Sequence, residues 1–160
     1  MMQRALFPAL ALFAASLPAG AEMAFNPADL LSTRDTALAG AMLACDLGVR
    51  DPDAADALLT GAGWTKAEDE GSWGYASENL TVMMWTVPGF CMVEDAEAGT
   101  TAFSDTLLGL ANIPPDIGTD ADGCTTYTYD NGVIATLNGP GNDPLCTSDT
   151  GAALRFSLPN

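Results

Sequence analysis

The residues best placed to do chemistry stand in one short run, GTDADGC, where Asp120 and Asp122 are followed by Gly123 and Cys124. Carboxylates at alternate positions before a glycine have the spacing of a calcium loop, in which the side chains turn toward one ion and the glycine makes the sharp bend. With Gly123 at the sixth position of such a loop, Asp120 and Asp122 fall on the third and fifth, both ligand positions. The first position is then Gly118 and the twelfth Tyr129, where the loop needs an aspartate and a bidentate glutamate. A β-prone run follows, not the second helix of a calcium-binding pair. The stretch therefore reads as a tight turn delivering Cys124 into a disulfide, and no metal site is expected.

Other chemistries find less support. The chain has no histidine, which removes the usual general base of serine and cysteine hydrolases and the commonest metal ligand. Lys66 is the only lysine, and the run GWTKAEDE sets carboxylates beside it that favour its charged form, the reverse of what a base requires. Met83, Met84 and Met92 are thioether donors of the kind that bind Cu(I), but methionines in a β region serve far more often as core filler. Trp73, Tyr75, Met83 and Trp85 form a candidate binding face on the first hairpin, with the core beneath the helices as their alternative place. No phosphate-cradling glycine loop or nucleotide fingerprint is present, and no cofactor is expected.

Cys45, Cys91, Cys124 and Cys146 are an even set with no CxxC spacing, which argues for two structural disulfides over a metal or redox site. Which residues pair depends on the elements that carry them. Leu38, Ala41, Met42 and Cys45 recur at helical spacing before Gly48, so Cys45 lies on the inner stripe of a helix. A second, short helix follows, with Asp51 as its cap and Pro52 in its first turn. From Trp64 the pattern turns to strand: WGYA, LTVMMWTV, and GFCMVE after Pro88-Gly89. Leu80 to Val87 is apolar on both alternating faces, so that strand is either covered on both sides or shows an apolar face. A third helix carries Phe103, Leu107, Leu110 and Ala111 on one side and stops before Pro114-Pro115. TTYTYDNGVIATL then predicts a hairpin, with Asn131-Gly132 as a type I′ turn. A polar loop leads to a last strand, ALRFSL.

Sliding the halves by 52 residues brings Tyr75 onto Tyr127, Asn79 onto Asn131, Pro88 onto Pro140 and Gly89 onto Gly141. Asp53, Leu58 and Gly71 likewise meet Asp105, Leu110 and Gly123, and three inserted residues bring Cys91 onto Cys146. The matches fall largely at turn residues, where backbone geometry limits the choice. The expected fold is therefore α+β: a mostly antiparallel sheet covered on one side by helices, built as two αβββ-like halves over residues 51–91 and 103–146. In that frame a helical Cys45 reaches Cys91 on the sheet it covers, and Cys124 and Cys146 meet across neighbouring strands.

The N-terminus sets the expected compartment. MMQR, an apolar stretch from Ala5 to Leu17, and PAGA before Glu22 make a secretory signal over residues 1–21, leaving one domain over 22–160. The stretch is shorter than the ~20 apolar residues of a membrane span. Without the signal, Arg34, Arg50, Lys66 and Arg155 face all 21 acidic residues, a net charge of −17. Such a surface repels phosphate backbones and anionic lipids, so nucleic acid and membrane are not expected partners and a cationic protein is. The reading that follows is an exported, periplasmic or secreted, non-enzymatic domain that binds another macromolecule or serves as an envelope accessory, with an acidic inhibitor of a basic protein as its sharper form. Its alternative is a hydrolase whose carboxylate pair is assembled only in the fold.

Overall fold

A computed structural model describes residues 27–69, 72–76, 82–111, 114–140 and 145–159. The expected signal and its cleavage point, together with Gly71, Asn79 and Gly141 of the internal match, lie outside those residues. In chain order the elements are α1 (Pro27–Leu31), α2 (Arg34–Gly48), α3 (Pro52–Gly61), β1 (Thr65–Asp69), β2 (Ser72–Ala76), β3 (Val82–Val87), β4 (Phe90–Asp95), α4 (Thr100–Leu110), β5 (Asp116–Thr119), β6 (Thr125–Thr128), β7 (Ile134–Asn138) and β8 (Ala152–Ser157). The eight strands form one open antiparallel sheet in the order β1-β2-β3-β4-β8-β7-β6-β5. Two four-strand meanders thus meet at their last strands, from Phe90 opposite Ser157 to Asp95 opposite Ala152.

The fold is the expected α+β arrangement, with one strand more in each half. β1 (TKAED) and β5 (DIGT) are the two edges of the sheet. Neither has an apolar alternation of its own, and their charged or exposed residues are what keep a sheet edge from pairing with another chain.

Helix boundaries follow the local chemistry. Asp51 caps α3, its Oδ1 accepting from the Ala54 amide at 3.0 Å, with Pro52 at the first position. α2 buries Ala37, Ala41, Met42 and Cys45, one stripe of a helix. Gly40 lets α1 lie against it, because a Cβ there would stand 2.9 Å from the Leu31 backbone nitrogen. The Trp64 indole then donates to the Leu31 carbonyl at 3.1 Å and ties α1 to the start of β1.

The core lies between helices and sheet. Val82, Met84, Cys91, Val93, Leu137, Leu154 and Phe156 from the strands meet Met42, Cys45, Leu59, Phe103 and Leu107 from the helices. Cys45 of α2 and Cys91 of β4, both fully buried, are joined, and Cys124 is joined to Cys146. Both disulfides are the expected pairs. Tyr75 and Tyr127 stand on the second strand of their meanders, β2 and β6. Pro88 lies in the β3–β4 turn, whereas Pro140 opens the longer connection to β8; Cys91 is inside β4, and Cys146 precedes β8.

The predicted second hairpin forms around Asn131-Gly132, but as a three-residue loop rather than a two-residue type I′ turn. The Tyr129 amide donates to the Val133 carbonyl and the Gly132 amide to the Tyr129 carbonyl, while Asn131 Oδ1 accepts from the Val133 amide. That last bond uses the asparagine to close the longer loop, an Asx motif that competes with the tighter turn.

Candidate functional site

The GTDADGC stretch is the end of β5 and the β5–β6 loop, which repeats the geometry of the second hairpin. The Asp120 amide donates to the Cys124 carbonyl at 2.9 Å, and the Gly123 amide donates to the Asp120 carbonyl at 3.2 Å. Gly123 has φ +87°, a left-handed conformation that side chains disfavour. Asp120 Oδ1 accepts from the amides of Asp122 at 3.0 Å and Cys124 at 2.8 Å. The carboxylate thus organises the loop's own backbone. Among the described residues, no group of three or more histidine, cysteine, aspartate or glutamate side chains is placed to hold a metal ion.

Strand alternation divides the candidate aromatic face between the two sides of the sheet. Tyr75 is 2% exposed and lies on the helix-covered side, level with Met84 and Val93. Met83 and Trp85 point the other way, half-buried. Trp73 is placed by its backbone alone, paired with Glu68 and Thr86. Met83 and Trp85 therefore share a surface, and Tyr75 does not join them.

That other surface is the face of the sheet on which, among the described residues, no helix packs: the helix-free face. Across it runs a row formed by Gly74, Trp85, Met92, Arg155 and Thr136, each opposite the next on the neighbouring strand. The Trp85 indole lies along the Gly74 backbone, its Nε1 3.6 Å from where a Cβ would stand. With Ala67, Ala76 and Met83 it lines a shallow apolar groove of about 190 Å³.

Further along the same face, the β5–β6 loop overhangs a more polar recess of about 420 Å³, lined by Phe90, Asp120, Asp122, Thr136, Asn138 and Arg155. Asn138 is 4% exposed; its Nδ2 donates to Cys124 Sγ at 3.2 Å, and its Oδ1 has no partner among the described residues. This face thus carries an apolar groove on β2 and β3 and a polar recess under the β5–β6 loop, with Phe90 and Met92 between them and Glu94, opposite Met83, setting a carboxylate beside the groove. Asp120 and Asp122 bring two carboxylates to the recess. With its Oδ1 committed to two amides, Asp120 is built as a loop brace.

The lysine is spoken for. Lys66 Nζ is 2.6 Å from Asp56 Oδ1 on α3 and 5.8 Å from the centre of the Tyr75 ring. Its partner is thus a carboxylate on the neighbouring helix, which the acidic residues beside it in sequence did not reveal. The same oxygen accepts from the Tyr75 hydroxyl at 2.6 Å. The hydrogen bonds from Lys66 and then Tyr75 hold the Asp56 carboxyl below its usual range, despite some desolvation. A general acid needs the opposite shift.

Fold and surfaces together define a disulfide-bonded α+β protein in which, among the described residues, the helices pack on one face of the sheet. Comparison with known protein families, with characterised proteins and with solved structures finds no significant match to this chain.

Proposed function

We propose that this chain is an exported, non-enzymatic binding domain that engages a cationic protein across the helix-free face of its sheet. The observation that carries the reading is the face itself: Met83, Trp85 and Met92 stand half-buried on strands whose opposite sides are packed into the core. An apolar patch beside a polar, acidic rim is the usual composition of a protein contact surface. The charge of the chain favours basic partners and fast, salt-dependent encounter. Two disulfides support a periplasmic or secreted location, where such bonds persist. In the sharper form of this reading the domain occludes the working surface of a basic envelope protein.

Pull-down from the exported fraction of the source cells, using wild type and Trp85→Ala side by side at low and high salt, tests this. A basic protein should be retained at low salt, released as salt rises, and held less by Trp85→Ala, mainly through faster dissociation. Retention that ignores both salt and Trp85 would refute the reading, as would the capture of no basic protein at low salt.

A further inference from the structure

On the other side of the sheet, α2 and α4 leave a hollow between them that neither the helix-free face nor the disulfides account for. Met42, Leu43, Leu107, Leu110 and Phe156 give it apolar walls, and its volume is about 150 Å³. That is the size of an apolar protein cavity able to take up benzene. Its lining also includes Asp46 of α2 and Tyr129, just after β6. A wider hollow of about 360 Å³ shares Asp46 and Tyr129 with it and adds Pro114, Pro115 and Asp130. An apolar hole thus opens beneath a mouth carrying two carboxylates.

A simple packing gap would have no reason to gather polar groups at its rim. Here three meet. Arg50, in the turn just after α2, engages Asp46 through Oδ2 in an ion pair that is open to water and therefore weak. Asp130 sits on the exposed β6–β7 loop and adds a second negative charge. Tyr129 is half-buried, yet its hydroxyl makes no hydrogen bond to any described residue, although tyrosine hydroxyls in such places usually find a partner. An apolar pocket with a few convergent polar groups is the common form of a small-molecule site.

We propose that the hollow between α2 and α4 binds a small organic cation: a benzene-sized apolar body, joined by a short spacer to an ammonium or guanidinium group. The body fills the space between Met42, Leu107 and Phe156. The cation lies at the mouth beside Asp46 and Asp130, and the Tyr129 hydroxyl accepts from it. This site is separate from the helix-free face and does not depend on the proposal made for that face.

The test uses the disulfide-bonded protein and the probe 2-phenylethylammonium, with 2-phenylethanol and propylammonium as controls lacking the charge or the ring. Methyl and aromatic NMR should show saturable shifts at Met42, Leu110 and Tyr129. Each control should bind at least about tenfold more weakly, a difference of roughly 1.4 kcal/mol. Asp130→Asn lies on an exposed loop and should weaken the probe several-fold with the fold intact. Leu110→Trp, which fills the hole, should abolish the shifts. Equal binding of 2-phenylethanol would overturn the cationic class, and affinity unchanged in both Asp130→Asn and Leu110→Trp would overturn the site. Absence of saturable shifts at those three residues would overturn the proposal as a whole.

Discussion

The Tyr75 hydroxyl stands 2.6 Å from Asp56 Oδ1, and this contact fastens the second strand of the first meander to the helix that precedes it. Tyr127 of β6 does the same for α4, donating to Ser104 Oγ at 2.8 Å or accepting from it. Each half is thus locked by a tyrosine reaching out of the sheet to its own helix. Removing the first lock has a graded cost. Tyr75→Phe loses one hydrogen bond but leaves Asp56 with Lys66, and should destabilise the protein by about 1 kcal/mol. Asp56→Ala strands the hydroxyl of a residue only 2% exposed and should cost about 2 kcal/mol. Urea unfolding of the two variants gives both values, and the order Asp56→Ala over Tyr75→Phe is the part to check.

The same cluster fixes how stability responds to pH. The Asp56 carboxyl titrates lower in the folded chain than in the unfolded one, so its contribution is complete above the unfolded value and is lost as pH falls through the folded one. Asp56→Asn should therefore flatten the acid limb of the stability curve below about pH 4. The alkaline limb has the opposite sign. Burial, then Asp56, raises the Tyr75 phenol, and burial, then Asp46, pushes Tyr129 up to about 12. Their contribution is complete below about pH 10, where unfolded phenols ionise, and is lost as pH rises toward the folded values. Tyr129→Phe should remove part of the slope between pH 10 and about 12. Unfolding curves across that range, with tyrosinate absorbance followed in parallel, decide it.

Where burial imposes a pattern, the structure was legible in the sequence. The stripe of α2 ending at Gly48, the Asp51 cap of α3, and Phe103 and Leu107 of α4 are each specified by their own neighbours. So was the pairing of Cys45 with Cys91, once the helix face and the strand were placed. The edges β1 and β5 were not, because Thr65–Asp69 and Asp116–Thr119 form strands only by pairing with β2 and β6. The candidate face of Trp73, Tyr75, Met83 and Trp85 joined residues near in sequence, whereas alternation along β2 and β3 sends Tyr75 and Trp85 to opposite sides. Tyr129 was missed as a site residue altogether. Its position beside the Asn-Gly loop marks a hairpin, and nothing local signals the hollow that α2 and α4 leave over it.

The two disulfides should differ in both contribution and resistance. They close loops with separations of 46 and 22 residues. In the chain-entropy model that gives roughly 4 kcal/mol for Cys45–Cys91 and roughly 3 kcal/mol for Cys124–Cys146. Cys45 and Cys91 are fully buried, while Cys146 is half-exposed. Mild reductant should therefore open Cys124–Cys146 first, with thiol alkylation and peptide mapping as the readout. Release of Cys45 and Cys91 should come only with unfolding.

The β5–β6 loop should bind calcium no more tightly than about millimolar, since its aspartates are not backed by a terminal bidentate ligand. Asp120→Ala, by contrast, should cost about 1–2 kcal/mol, because two loop amides lose their acceptor. Asp120→Asn, which keeps a side-chain oxygen, should recover most of it. Titration calorimetry with calcium, beside denaturation of the two variants, separates a loop brace from a cation site. Micromolar calcium binding that Asp120→Ala abolishes would show the brace assignment to be wrong.

Met84 and Trp85 are adjacent in sequence and stand on opposite faces of β3, which makes them a direct test of the helix-free surface. Met84 is fully buried against the helices, so Met84→Ala removes core contacts and should cost about 2–4 kcal/mol. Trp85 rests on the Gly74 backbone with its outer side open. Trp85→Lys should therefore cost less than about 1 kcal/mol, because the lysine stem can lie along the same groove with its charge in water. The variant should also bind less of a hydrophobic dye at unchanged fold, since the largest apolar group on that face is gone. If Trp85→Lys unfolds the protein as readily as Met84→Ala does, the face is covered in solution, and a partner would have to displace that cover before it could bind.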